Sequence, residues 1–60
     1  SQAKPGDLVF FVGTYDTPGV SHVGLYVGNS VMLHCGDPIS YTHLNSNYWQ
    51  SHFYSFGRLP

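Results

Sequence analysis

Hydrophobic and polar positions divide this chain into short runs of strand periodicity and one interval of helical spacing. Leu8-Val9-Phe10-Phe11-Val12 is apolar without alternation, the pattern of a strand covered on both faces. It follows Lys4-Pro5-Gly6-Asp7, in which proline fixes one φ and glycine supplies the positive φ of a type II turn. Gly13 to Val20, with Asp16, Pro18 and Gly19, reads as a surface loop. From Ser21 to Cys35 the pattern alternates on either side of Gly28-Asn29-Ser30, which predicts a β-hairpin. On the outgoing arm His22, Gly24 and Tyr26 share one side and Val23, Leu25 and Val27 the other. On the returning arm Val31, Leu33 and Cys35 fall together, as do Met32 and His34.

If the apolar sets face the core, both histidines take the opposite face. That parity requires an odd-numbered loop, because directly opposed residues lie on one face. A three-residue loop over 28–30 sets Val27 against Val31 and His34 diagonal to His22, roughly 7–8 Å apart between backbones. A longer turn brings the two histidines directly opposite. In either case one imidazole is close enough to position the other.

Beyond the hairpin, Gly36-Asp37-Pro38 breaks the chain, and Ile39-Ser40-Tyr41-Thr42 alternates as a short strand pairing antiparallel with the previous one. Asn45-Ser46-Asn47 offers N-cap side chains for a helical turn from Tyr48 to about His52, with Trp49 and Phe53 four apart on one face. Phe53-Tyr54-Ser55-Phe56 reads as a closing strand, with Gly57 and Pro60 ending the ordered part. The predicted class is α+β and β-rich: an antiparallel sheet of four to five strands with one short helix. No amphipathic helix of ordinary length is available to cover the second face of Leu8–Val12. The chain is therefore expected to be a piece of a larger domain, or to self-associate, a homodimer being the simplest form.

Composition narrows the possible functions. Sixty residues make one small domain with little margin of stability. Two basic and three acidic residues, for a net charge of -1, leave no electrostatic footprint for nucleic acid or an anionic membrane surface. The longest apolar run, Leu8 to Val12, is far below the ~20 residues that span a bilayer. The lone Cys35 cannot form an internal disulfide, and the four histidines lack zinc-ligand spacing. No metal or cofactor is expected, since His22 and His34 have no acidic or thiol partner on their face. His43 and His52 sit among polar loop and helix-end residues, where a solvated role is expected. Tyr48, Trp49 and Phe53 are expected to pack on the sheet rather than stack on a sugar. Gly24 leaves room for a neighbouring group or a substrate to approach.

Three blocks in order, Pro5-Gly6-Asp7-Leu8-Val9-Phe10-Phe11, Ser21-His22-Val23-Gly24-Leu25-Tyr26-Val27-Gly28-Asn29 and Met32-Leu33-His34, resemble the second half of an NlpC-type cell-wall cysteine peptidase. These are papain-like bacterial hydrolases of peptidoglycan stem peptides. Tyr48 to Tyr54 resembles, more narrowly, the modular hydrolases of conjugative elements of Gram-positive bacteria. The resemblance implies that residues 1–60 form the sheet half of such a domain, secreted to the cell wall or the medium. It assigns His22 as general base, His34 as the residue that orients it, and Ser21 as a contact to substrate, although a plain strand-edge hydroxyl fits Ser21 equally well. The implied substrate is the amide between D-glutamate and a diamino acid of the stem peptide, cleaved by Cys-His-His catalysis.

The family's nucleophile, in an Asp-Cys-Ser-Gly type of motif before a helix, is missing from these residues. Cys35 has no following helix of the kind that activates a thiol nucleophile, and alternation turns it from His34 toward the side of Leu33 and Val31. It is expected to be a packing residue in the interior. The chain alone is then expected to be inactive. The competing expectation is a non-catalytic module that binds cell-wall peptide or another protein through its aromatic loops.

Overall fold

The computed structural model describes residues 3–36 and 39–58. Five strands and one helix follow in the order β1 (Leu8–Val12), β2 (Val20–Gly28), β3 (Val31–Cys35), β4 (Ile39–His43), α1 (Asn47–His52) and β5 (Phe53–Gly57). The strands form a single antiparallel sheet in the order β4-β3-β2-β1-β5. This is the predicted class, with β4 beside β3 and β5 closing on the far edge of β1. Asp37, Pro38 and Pro60, where the sequence predicts a chain break and the end of order, lie outside the described residues.

Local chemistry sets the turns. The Asp7 N–H donates to the Lys4 carbonyl at 3.0 Å, and Gly6 has the positive φ of 97° that a type II turn demands. Of the two registers left open, the hairpin takes the one with His34 diagonal to His22, Gly24 standing opposite His34 and Leu25 opposite Leu33, while Val31 pairs with Gly28 rather than Val27. Its connection differs from a three-residue loop: Asn29 and Ser30 both adopt positive φ, 54° and 60°, and the extra residue is absorbed as a bulge between Tyr26 and Gly28. Ser46 caps α1 by accepting the Trp49 N–H, and the Gln50 side chain donates to the Leu44 carbonyl at 2.7 Å.

Sequence patterning named the wrong face as the core. Val9, Phe11, Met32 and Leu44 are the buried hydrophobic residues, with Tyr26, Trp49 and Phe56 packed against them. Val9 pairs with Gly24 and Phe11 with His22, so this core lies on the histidine side of the sheet. Burying Val9, Phe11 and Met32 contributes about 1.5–3 kcal/mol each. On the other side Val23 (46%), Leu25 (39%), Ile39 (67%) and Tyr41 (70%) are exposed. Cys35 is exposed with them rather than packed in an interior. The physical reason is that α1 and the segment before it lie across the histidine face, through Leu44 and Trp49, and nothing among the described residues covers the other.

The Asp7 carboxylate ties the first turn to the residue after β5. It accepts from Arg58 Nε at 2.8 Å and Arg58 Nη2 at 2.9 Å, and from the Lys4 N–H at 2.9 Å. Hydrogen bonding to the guanidinium is the main cause that lowers its pKa from 3.8 to about 2, with the Lys4 backbone bond next.

Candidate active site

His22 sits near the start of β2, beside a bulge where β1 passes from the Phe11–His22 pair to the Val12–Val20 pair. The unpaired residue is Ser21. Its hydroxyl accepts the Thr14 N–H at 3.0 Å and bonds the Thr14 hydroxyl at 2.6 Å. These bonds tie the loop after β1 to the strand entering the site, and they commit the Ser21 oxygen to the protein.

The imidazoles of His22 and His34 come together from neighbouring strands. His22 Nε2 and His34 Nδ1 are 2.9 Å apart, with the rings nearly perpendicular at 86°. On its other edge, His34 Nε2 lies 2.8 Å from Thr42 Oγ1 on β4. Pleating explains the line of contacts: Gly24 opposes His34 and Met32 opposes Thr42, so His22, His34 and Thr42 are successive diagonal neighbours on one face. Nδ1 of His22 has no hydrogen-bond partner among the described residues.

Trp49 covers this pair. Its indole stacks on His22 with centroids 5.6 Å apart and planes at 28°, and meets His34 edge-on at 5.3 Å. Phe11 supports the indole from the core at 4.8 Å. Trp49 thus packs on the sheet as expected, but against the two imidazole rings as well as hydrocarbon. Burial, followed by the nearby His22, lowers the His34 pKa below 6.5 and favours a neutral His34.

The remaining candidates separate from this cluster. His43 is exposed. His52 departs from the expected solvated role: it is half-buried, and its Nδ1–H donates to the Val12 carbonyl at 2.8 Å, pinning α1 to the end of β1. Gly24 leaves room for Met32: a Cβ at that position would lie 2.6 Å from the Met32 Sδ, so the buried methionine would have to shift. Among the described residues, no group of three or more His, Cys, Asp or Glu is placed to hold a metal ion. Sequence reasoning passed over Thr42, because threonine is at home in any strand. The one available signal was its parity with His34 on the adjoining strand.

Comparison with known proteins fits this geometry. A family model described as the NlpC/P60 family matches residues 1–58. The bifunctional muramidase/DL-endopeptidase CwlT of Bacillus subtilis is 51% identical over 97% of this chain, and the probable endopeptidase p60 of Listeria monocytogenes is 47% identical over 98%. The chain spans only 18% and 12% of those two relatives. A crystal structure of a lipoprotein-like NLP/P60 family protein from Staphylococcus aureus superposes with a TM-score of 0.89 at 43% identity, covering 95% of this chain and 20% of the other.

Proposed function

The chain belongs to the NlpC/P60 family, and on that premise we propose that it forms the sheet half of a peptidoglycan-cleaving cysteine peptidase in which His22 is the general base and His34 orients it. The observation that carries this is the 2.9 Å contact between His22 Nε2 and His34 Nδ1, which leaves His22 Nδ1 open. A ring with one nitrogen engaged and the other open has the geometry of a general base.

In the proposed mechanism His22 Nδ1 takes the proton of a cysteine thiol, and the thiolate attacks the carbonyl carbon of the scissile amide. When the carbon–nitrogen bond breaks, the proton on Nδ1 passes to the leaving amine, and water then hydrolyses the thioester with His22 again as base. Throughout, Nδ1 of a neutral His34 accepts the His22 Nε2–H and steadies the imidazolium when it forms. Cys35 is an unsuitable nucleophile, being on the opposite face of β3 from His34 and exposed there. The thiol is therefore assigned to a segment outside these 60 residues, at the start of a helix, and the chain alone is inactive. The substrate class is the stem peptide, at the bond between D-glutamate and a diamino acid, in the cell wall or outside the cell. Ser21 is assigned to support of the site entrance, with its substrate contact limited by the bonds to Thr14.

The uncovered face of β2 and β3 supports a second proposal: the isolated chain self-associates, a homodimer being the simplest form. The enzymatic reading is tested with the full-length protein and a purified stem peptide, followed by chromatography of the products. Cleavage by the wild type and loss of at least about a thousandfold in His22→Ala is expected. Undiminished cleavage by His22→Ala removes His22 from the mechanism, and stem-peptide binding without cleavage by the wild type favours the binding-module alternative.

A further inference from the structure

A base at His22 fixes where each proton of the cluster must be. For Nδ1 of neutral His22 to carry a lone pair, the ring proton sits on Nε2 and donates to His34 Nδ1. A neutral His34 then carries its own proton on Nε2, 2.8 Å from the Thr42 hydroxyl oxygen. The reverse order satisfies the same contacts: Thr42 donates to His34 Nε2, the His34 Nδ1–H donates to His22 Nε2, and the His22 proton moves to Nδ1. Reversed in this way, His22 presents no base to a thiol.

An oxygen at Thr42 favours the productive order. The half-buried Nε2–H of His34 needs an acceptor, and Thr42 Oγ1 is the partner that the fold provides. Without that oxygen, a proton on Nε2 is left without an acceptor in the protein, and the ring gains by moving it to Nδ1, where His22 can accept it. β4 fixes the placement, because Thr42 pairs with Met32 and so stands diagonal to His34 on the face that holds both rings. Trp49 lies against the same two rings and restricts their rotation.

We infer that Thr42 is a positioning residue, which accepts the Nε2–H of His34 and so orders the His22–His34–Thr42 relay in the direction that leaves His22 Nδ1 free to take a proton. This inference rests on the reading of His22 as the base. It adds an outer member that never touches substrate and acts through His34 alone.

The test uses the full-length protein with Thr42→Val, which keeps the branched shape and removes the oxygen, and Thr42→Ser, which restores an oxygen. Stem-peptide cleavage is expected to fall about tenfold in kcat for Thr42→Val with KM unchanged, as loss of one hydrogen bond allows, and to recover substantially in Thr42→Ser. Imidazole nitrogen NMR supplies a readout that a merely structural role would not move. In the wild type His34 is expected to be protonated on Nε2 and bare on Nδ1, and Thr42→Val shifts it toward the other tautomer. Wild-type His34 protonated on Nδ1 overturns the inference without any variant, so a Thr42→Val protein that does not fold leaves it falsifiable. Wild-type kcat in Thr42→Val together with a dead His22→Ala overturns the role of Thr42 alone, whereas an active His22→Ala overturns the base itself.

Discussion

The indole of Trp49 lies over the imidazole of His22, with centroids 5.6 Å apart and planes inclined by 28°. One side chain on the short α1 thus covers the His22–His34 pair while resting on Phe11 in the core. Removing it both opens the His22–His34 bond to water and leaves a gap above Phe11. Trp49→Ala is expected to cost about 2–3 kcal/mol of stability, below the range for a fully buried tryptophan because the site is only half-buried. The variant is also expected to lose kcat out of proportion to KM. Chemical denaturation and steady-state kinetics check the two parts. Trp49→Phe, which keeps a ring on Phe11, should retain most of the stability.

His34 must be neutral to accept from His22, and its environment works toward that. Burial, then the neighbouring His22, lowers its pKa below 6.5. The unfolded chain therefore binds more protons than the folded one between that lowered value and 6.5. The contribution of neutral His34 to stability is complete above 6.5 and is lost as pH falls through the lowered folded value. His34→Gln should remove this part of the pH dependence, read as midpoints of thermal unfolding across mildly acidic buffers. His34→Ala, with no acceptor at all, should cost on the order of 10³- to 10⁴-fold in kcat.

Much of this arrangement was legible in the sequence, since a period of two is unambiguous once a turn is fixed. Gly28-Asn29-Ser30 and the alternation of His22, Gly24, Met32 and His34 were enough to put both rings on one face of a hairpin, while the choice between a diagonal and a directly opposed pair was left to the structure. Which face would be packed was not legible. Both sides of β1 are apolar, so the choice fell to β2 and β3, whose aliphatic side is the uncovered one. Val23, Leu25 and Leu33 signal burial against something, but a sequence does not say whether that cover lies within the same 60 residues. Thr42 and Trp49 reach the relay only through tertiary packing. The Asp7–Arg58 pair joins positions 51 apart, a separation with no local sequence signal.

That pair gives a second pH signature at lower values. With its pKa lowered from 3.8 to about 2, the Asp7 carboxylate contributes stability that is complete above 3.8 and is lost as pH falls through about 2. Asp7→Asn should lower the midpoint of thermal unfolding at neutral pH and flatten the acid limb. Arg58→Ala should have a similar effect, because it removes both side-chain donors to the same carboxylate. An acid limb unchanged in Asp7→Asn assigns the acid sensitivity to other carboxylates.

The uncovered sheet face bears most directly on the behaviour of the isolated chain. Val23 and Leu25 on β2 and Ile39 and Tyr41 on β4 expose large apolar side chains on the side opposite the relay. A small chain gains by burying such a surface at about 25 cal/mol per Å². Association through this face need not disturb His22 or His34, which project from the other. Light scattering at micromolar concentration should therefore show a dimer or larger species for the isolated chain. Leu25→Lys places a charge in the middle of that face, 39% exposed in the single chain, and should shift the population to monomer while leaving the fold intact. A wild-type chain that is monomeric throughout this range rules out self-association by this face at these concentrations. In a full-length protein that buries the face against its own remaining residues, Leu25→Lys should instead lower stability without changing the oligomeric state.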